Sequence, residues 1–386
     1  VTVIDKGDLK SGASFVNAGF ISPSHVVPLA APGMVSEGLK MMFNSASPFY
    51  LKPRLNLNLF KWAWAFYNSA TTKHVKQSAP VIKELTVFSR ELFQDLKNNQ
   101  LFNFHFEKKG LLMAYQTSKF EKKEAKLAKI ALEQGLEVKH INKKELHNME
   151  PEMNAEGAYY YLCDAHTTPD EFMQKMTHYL KSKNVEFLVD ETVLNFEHSN
   201  SRAHSLTTNK RTLTFEELII AAGSWSSLLA RKLGLNLLLE AGKGYRVNIL
   251  RNTGIKYPAI LTELNTAVTP MDGFTRFGGT MEIAGLNNTI NRTRVRQIAE
   301  NAKIFYPKIT ISQEEQNNAA CGLRPLSPDG LPFIGRSKLF NNVCIASGHA
   351  MMGWSQGPAT GKLISEIISD KKTSLNLTPF SLERYS

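Results

Sequence analysis

An α/β fold with a second domain built on an antiparallel sheet is what this 386-residue sequence predicts, on three observations. Short apolar runs end at a carboxylate or a glycine: Val1 to Ile4 leads into Asp5, and Leu218 to Ala222 leads into Gly223. Such runs suit strands buried on both faces of a parallel sheet, at whose carboxyl ends these folds bind ligands. Near the tail, a strand over Val343 to Ala346 meets a glycine-punctuated loop and then a helix, with Leu363, Ile364, Ile367 and Ile368 at helical spacing. Between these parts, Tyr245 to Ile249, Ala267 to Thr269, Phe274 to Gly278 and Met281 to Ala284 alternate as antiparallel strands do.

The length predicts two or three domains, at about 150 residues each. Cys163, Cys321 and Cys344 are widely spaced, with no C-x-x-C, so the expectation is buried free thiols in a reducing compartment and no metal centre. A net charge of +11 favours anionic partners. The densest basic run, Lys119 to Lys129, alternates with glutamates on a solvated helix, which argues against nucleic acid. No apolar run reaches the roughly 18 residues needed to span a bilayer. Leu57 to Tyr67 comes nearest, but it is short, carries Lys61 and reads as a buried amphipathic helix.

In chain order, Asp5 stands where a dinucleotide-binding βαβ unit has the acid that accepts the ribose hydroxyls, about 20 residues after G-x-G-x-x-G. That glycine pattern does not occur in the chain, so the expectation is a fragment that lacks roughly 25–30 residues of its first βα unit. Gly12 to Gly19 is small and polar, as a segment crossing close to a ligand must be, and His25 follows in Pro-Ser-His. Val35 to Asn99 reads as helical; Ser78 and Pro80 act as start signals for a stripe of Val81, Leu85, Phe88, Leu92 and Leu96. Gly110 to Tyr115 reads as a strand, Ser118 to Glu121 as a capping box, and Gly135 as the end of the lysine-rich helix. Asn142 caps a short helix, and Thr168-Pro169-Asp170 opens another. A hairpin-like run reaches Phe215, Gly234 closes a helix after Trp225, and Asn291 begins the next. Pro328-Asp329-Gly330 is a turn, Ser355 an N-cap, and Pro358 belongs to the first turn behind it. Bare amides ahead of a buried helix would stabilise an anion.

The segments CGLRPLSPDGLPFIGRS and SGHAMMGWSQGPATGK, with VTVIDKGD, LIIAAGSWSS, GKGYRVNI and GGTMEIAGLN in the same order, resemble the FAD-dependent amine and amino-acid oxidoreductases. That family holds D-amino acid dehydrogenases, glycine oxidase and sarcosine oxidase; the likeness is greatest to the D-amino acid dehydrogenase small subunit. The resemblance implies a discontinuous, Rossmann-like FAD domain of glutathione reductase type over 1–22, 152–236 and 322–386. The substrate-binding α+β domain would be 23–151 and 237–321. FAD would lie along Asp5, Lys6, Ser14, Asn17, Ala18, Gly19, Val193, Ala222, Gly223, Trp225, Gly348, His349, Ala350, Met352, Gly353, Trp354 and Ser355. Ala350 replaces the glycine usual in that subgroup's G-H-G.

The implied substrate is an amino acid, whose carboxylate needs a planar, doubly donating cation; Arg324, bracketed by Gly322 and Pro325, meets that need. Tyr245 is the expected second donor, with Arg246 and His25 as weaker substrate-side candidates. Hydride would pass from Cα to the flavin N5, and the imino acid would hydrolyse to a 2-oxo acid and ammonia. Electrons would go to a quinone or another acceptor, with the protein in the cytoplasm or at the inner face of the cytoplasmic membrane. Two alternatives stand beside this: an oxidase of glycine, sarcosine or a cyclic imino acid, and a truncated relic without activity.

Overall fold

The computed structural model describes residues 1–35 and 49–385. Its largest element is a nine-stranded sheet in the order Ala320–Leu326, Glu240–Ile249, Phe274–Ile283, Thr266–Met271, Ala259–Leu261, Leu111–Tyr115, Gly157–Tyr161, Val138–Asn142, with Phe49–Leu51 pairing Phe274–Ile283 off this path. Most neighbours are antiparallel; Phe49–Leu51 and the pair Ala259–Leu261 with Leu111–Tyr115 are parallel. The helix Arg292–Phe305 starts at Asn291, whose side chain accepts the Thr293 amide. It covers one face with Val295, Ile298, Ala302 and Phe305, spaced three, four and three, against Val247, Ile249 and Phe277. Val295, Ile298 and Phe305 so buried contribute about 1.5–3 kcal/mol each, and Ala302 less.

The parallel part is smaller. Thr2–Ile4 pairs with Glu186–Leu188, and Leu218–Ile220 pairs with Val343–Ser347, which also pairs antiparallel with Phe333–Arg336. Val343 and Ile345 face Ile220, Phe333 and Leu235, whereas Cys344 faces Leu363, Ile364 and Leu85. Burial on both faces is why that strand reads as an unbroken apolar run. Leu85 belongs to the long helix Thr72–Asn98, on which Val81, Phe88 and Leu92 pack inward and Leu96 joins a neighbouring aromatic cluster.

Several expectations are corrected. The long helix is capped by Thr71, so Ser78 and Pro80 lie inside it; the Ser78 hydroxyl donates to the His74 carbonyl. Of the run expected to be helical from Val35, residues 36–48 fall outside the described residues and Phe49–Leu51 is a strand. Thr117, not Ser118, precedes the lysine-rich helix, and its hydroxyl donates to Glu263 in place of a capping box. Gly157–Tyr161 and Ala320–Leu326, expected wholly or largely in the cofactor domain, are strands of the large sheet. The helix Leu57–Ser69 buries Leu59 and Trp62 but exposes Leu57, Phe60, Trp64 and Tyr67. Asn142 does cap its helix, with Glu145 completing a capping box.

Candidate active site

Strands Glu240–Ile249 and Ala320–Leu326 pair so that Gly242 faces Arg324, Gly244 faces Gly322 and Arg246 faces Ala320. Alternation brings these six residues to one face of the sheet. A Cβ added at Gly244 would stand 2.3–2.5 Å from the Arg324 guanidinium, and one at Gly322 would stand 2.5 Å from Val16 and 2.8 Å from Ala13. The two glycines therefore let the guanidinium lie against the strand and let the short helix Ala13–Val16 approach it. Arg324 Nη1 donates to the Thr280 carbonyl at 2.8 Å. Thr280 has φ +66°, a conformation that costs a β-branched residue about 1–3 kcal/mol. It lies at an irregularity between its strand and Glu240–Ile249, which turns its carbonyl toward the arginine. Desolvation pulls the Arg324 guanidinium down to about 10. Among the described residues, no carboxylate pairs with it.

Tyr245 takes the opposite face. Its hydroxyl donates to Glu282 Oε2 at 2.6 Å, and Glu282 lies 3.4 Å from both Lys243 Nζ and Arg294 Nε. Burial raises the phenol strongly, so Tyr245 is a core donor to Glu282 and does not accompany Arg324. Arg246, ranked lower in the sequence, shares the Arg324 face; its Nη1 donates to the Asn318 carbonyl and its Nε is buried without a partner. Arg276, which the sequence did not single out, donates Nη1 to the carbonyls of Phe15 and Asn17 and Nε to Asn248, and lies 3.4 Å from Asp170. His25 hydrogen-bonds Ser24, which donates to buried Asp164, and desolvation holds the imidazole down at about 4.

The segment from Ala13 to Gly19 is clamped through its carbonyls. Besides Arg276, Thr269 Oγ1 donates to Ala18 O at 2.7 Å and the Thr167 amide donates to Gly19 O at 2.9 Å. Gly19 has φ +72°, and a Cβ there would stand 2.2 Å from the Thr167 carbonyl. Asn17 closes the turn by accepting the Gly19 amide and donating to Ala13 and Ser14. Asp5, just past its strand, accepts the Gly7 amide on Oδ1, and the Lys6 ammonium sits 3.3 Å over the Trp225 ring. Gly223 has φ +53° and its carbonyl accepts the Ser347 hydroxyl; Val193 begins the strand beside Thr208.

The helix after the Gly348 loop spans Gly353–Ile368 and begins two residues before the expected cap. Ser355 Oγ instead donates to Phe20 O and accepts the Ser22 amide, while Pro358 lies inside the helix. His349 hydrogen-bonds Thr360, and Trp354 Nε1 donates to Thr167 Oγ1. The Ala350 amide goes to Pro325 O and the Met352 amide to His349 O, so not every amide of the loop is available to an anion. Those of Gly353, Trp354 and Ser355 fill the first turn, where no acceptor exists within the helix and the dipole favours negative charge. Ala350 has φ +49°, the left-handed region that glycine would occupy without strain.

The glycine-faced sheet that carries Arg324 thus adjoins the loop before the Gly353–Ile368 helix, through the Ala350 amide on Pro325 O and the Leu326–His349 bridge. The family model described as FAD dependent oxidoreductase matches residues 1–367. The chain belongs to this family. Among curated relatives of this FAD dependent oxidoreductase, D-amino acid dehydrogenase of Helicobacter pylori is 29% identical over 381 residues, covering 97% of this chain and 90% of the relative. D-amino acid dehydrogenase of Neisseria gonorrhoeae is 27% identical over 395 residues, covering 100% and 93%. Glycine oxidase from Geobacillus kaustophilus shares the fold at a TM-score of 0.78 and 20% identity, covering 100% of this chain and 92% of that one. The residues present fit FAD at two places, Asp5 with a carboxylate at a strand end and the Gly353–Ser355 amides with an unpaired helix terminus. For the pyrophosphate, no G-x-G-x-x-G occurs in the chain. No helix of the described residues is long and apolar enough to cross a membrane.

Proposed function

We propose that this FAD-dependent oxidoreductase deaminates a D-amino acid oxidatively, yielding a 2-oxo acid and ammonia. The observation that carries the reading is Arg324: a guanidinium held down at about 10 by burial, without an acid partner among the described residues, on a face cleared by glycines. A substrate carboxylate supplies the missing counter-charge, and two parallel N–H donors fix its plane. FAD, when bound, accepts the hydride. Arg324 orients the acid, Arg246 adds positive field on the same face, and the first-turn amides of Gly353, Trp354 and Ser355 stabilise developing negative charge. The curated relatives that span nearly the whole chain carry the name D-amino acid dehydrogenase, which supports the D-configuration.

The acceptor in this reading is a membrane quinone. Trp64 is 67% exposed and Tyr67 59%, on the same helix side as Phe60 and Leu57, and the chain carries a net charge of +11. Exposed aromatic side chains on a chain of net positive charge suit the interface of an anionic bilayer. A screen of D- and L-amino acids with an artificial dye acceptor tests the reaction. Turnover confined to L-amino acids would refute it, and stoichiometric peroxide in air would favour the oxidase alternative.

A further inference from the structure

A small sheet joins Phe20–Ile21, Ala165–Thr167 and Phe106–Glu107. Its registers set His166 opposite both Phe20 and Glu107. Directly opposed residues of an antiparallel pair share a face, and His105 reaches the same place from two residues before Glu107. His166 is fully buried, and its Nε2 has no hydrogen-bond partner. Buried polar atoms are almost always satisfied, so this nitrogen calls for a ligand.

The geometry around it is that of a ligand set. Glu107 Oε2 lies 3.6 Å from His166 Nε2, and Glu107 Oε1 lies 3.8 Å from His105 Nε2. The three ligand atoms all fall within 4.8 Å of one another. Ligands of a tetrahedral zinc ion, each about 2.0–2.1 Å from the metal, stand about 3.3 Å apart. Closing the carboxylate gaps by about 0.5 Å, with a larger swing between the imidazoles, brings all three into range. His105 Nδ1 is held by Thr168 Oγ1 at 2.9 Å, which leaves Nε2 directed at Glu107. The Pro270 carbonyl faces the His166 ring.

We propose that His105 Nε2, a Glu107 oxygen and His166 Nε2 bind one divalent transition-metal ion of zinc type. Two imidazoles with one carboxylate select such an ion over magnesium or calcium, which take oxygen ligands. Lys109 Nζ, 2.8 Å from Glu107 Oε2, is the competing cation, and at 45% exposure it has room to swing into solvent. Asp272 and Glu171 lie close enough to add negative field at His105. Water takes the fourth position from the exposed Glu107 side. The ion cross-links the strand whose Thr167 holds Gly19 and Trp354, two residues of the flavin-side framework. It takes no part in hydride transfer.

The test uses the flavin-loaded protein, stripped with a chelator, dialysed against zinc chloride and analysed for metal content. Affinity is read by competition with a chromophoric chelator, and circular dichroism confirms that each variant is folded. About one zinc per chain is expected, unaffected by excess magnesium. Glu107→Gln and His105→Gln, both at partly exposed positions, should each weaken zinc binding at least ~10-fold. Zinc should also raise the melting temperature of the parent protein and not that of Glu107→Gln. No zinc retained by the parent, or unchanged affinity in both variants, would overturn the proposal.

Discussion

Replacing Arg324 with leucine should separate function from stability. Desolvation pulls the guanidinium down to about 10, so folding around its charge costs at most about 3 kcal/mol. The sign follows from the direction of the shift: the folded chain binds this proton more weakly, so the cost is fully present at every pH below about 10. Losing the bond to the Thr280 carbonyl offsets roughly 1 kcal/mol of the gain. Arg324→Leu should therefore be about 1–2 kcal/mol more stable at pH 7, seen as a melting temperature raised by a few degrees. Substrate binding should move the other way. Removing one partner of a buried ion pair costs about 3–5 kcal/mol, or roughly 10²–10³-fold or more in KM. Calorimetry and dye-coupled kinetics on the same preparation measure both. A variant that melts lower and keeps its KM would refute the reasoning, because it would make Arg324 a structural residue.

Gly244→Ala should displace the guanidinium by about 1 Å and lower kcat/KM roughly 10²-fold while flavin content stays the same. Ala350→Gly should relieve the φ +49° strain and raise stability by about 1 kcal/mol, checked by thermal melting. Glu124 is buried with Oε2 unpaired, and desolvation raises it to about 7. The folded chain then holds this proton more tightly, so stability should fall as pH rises from about 4.5 to about 7. Glu124→Gln should flatten that slope and add up to about 3 kcal/mol at pH 8, measured by urea melts at several pH values. Phe60→Ser with Trp64→Ser should weaken sedimentation with anionic vesicles and leave turnover with a soluble dye unchanged.

Local patterns in the sequence carried the parts of this fold that depend on one element at a time. The unbroken apolar run at Val343–Ser347 is legible because both faces of that strand are covered, whereas in Leu218–Ile220 only one face is, with Ile219 exposed. The stripe on Thr72–Asn98 is legible because packing against the tail helix imposes its period. Long-range register was not legible. Which of Tyr245 and Arg246 accompanies Arg324 depends on the pairing of Gly244 with Gly322, across more than seventy residues. Ser355 reads as a cap by residue type, yet its hydroxyl is taken by Phe20. Thr280 carries no sequence signal for a positive φ, and His166 meets Glu107 only through a strand pairing.

The most direct measurement is anaerobic flavin reduction in the flavin-loaded protein, followed by loss of its visible absorbance as D- or L-amino acid is mixed in. The expected result is saturable bleaching by a D-amino acid, with half-saturation in Arg324→Leu shifted at least ~10²-fold. Bleaching at the same concentration in parent and variant would contradict the placement of the substrate carboxylate on Arg324.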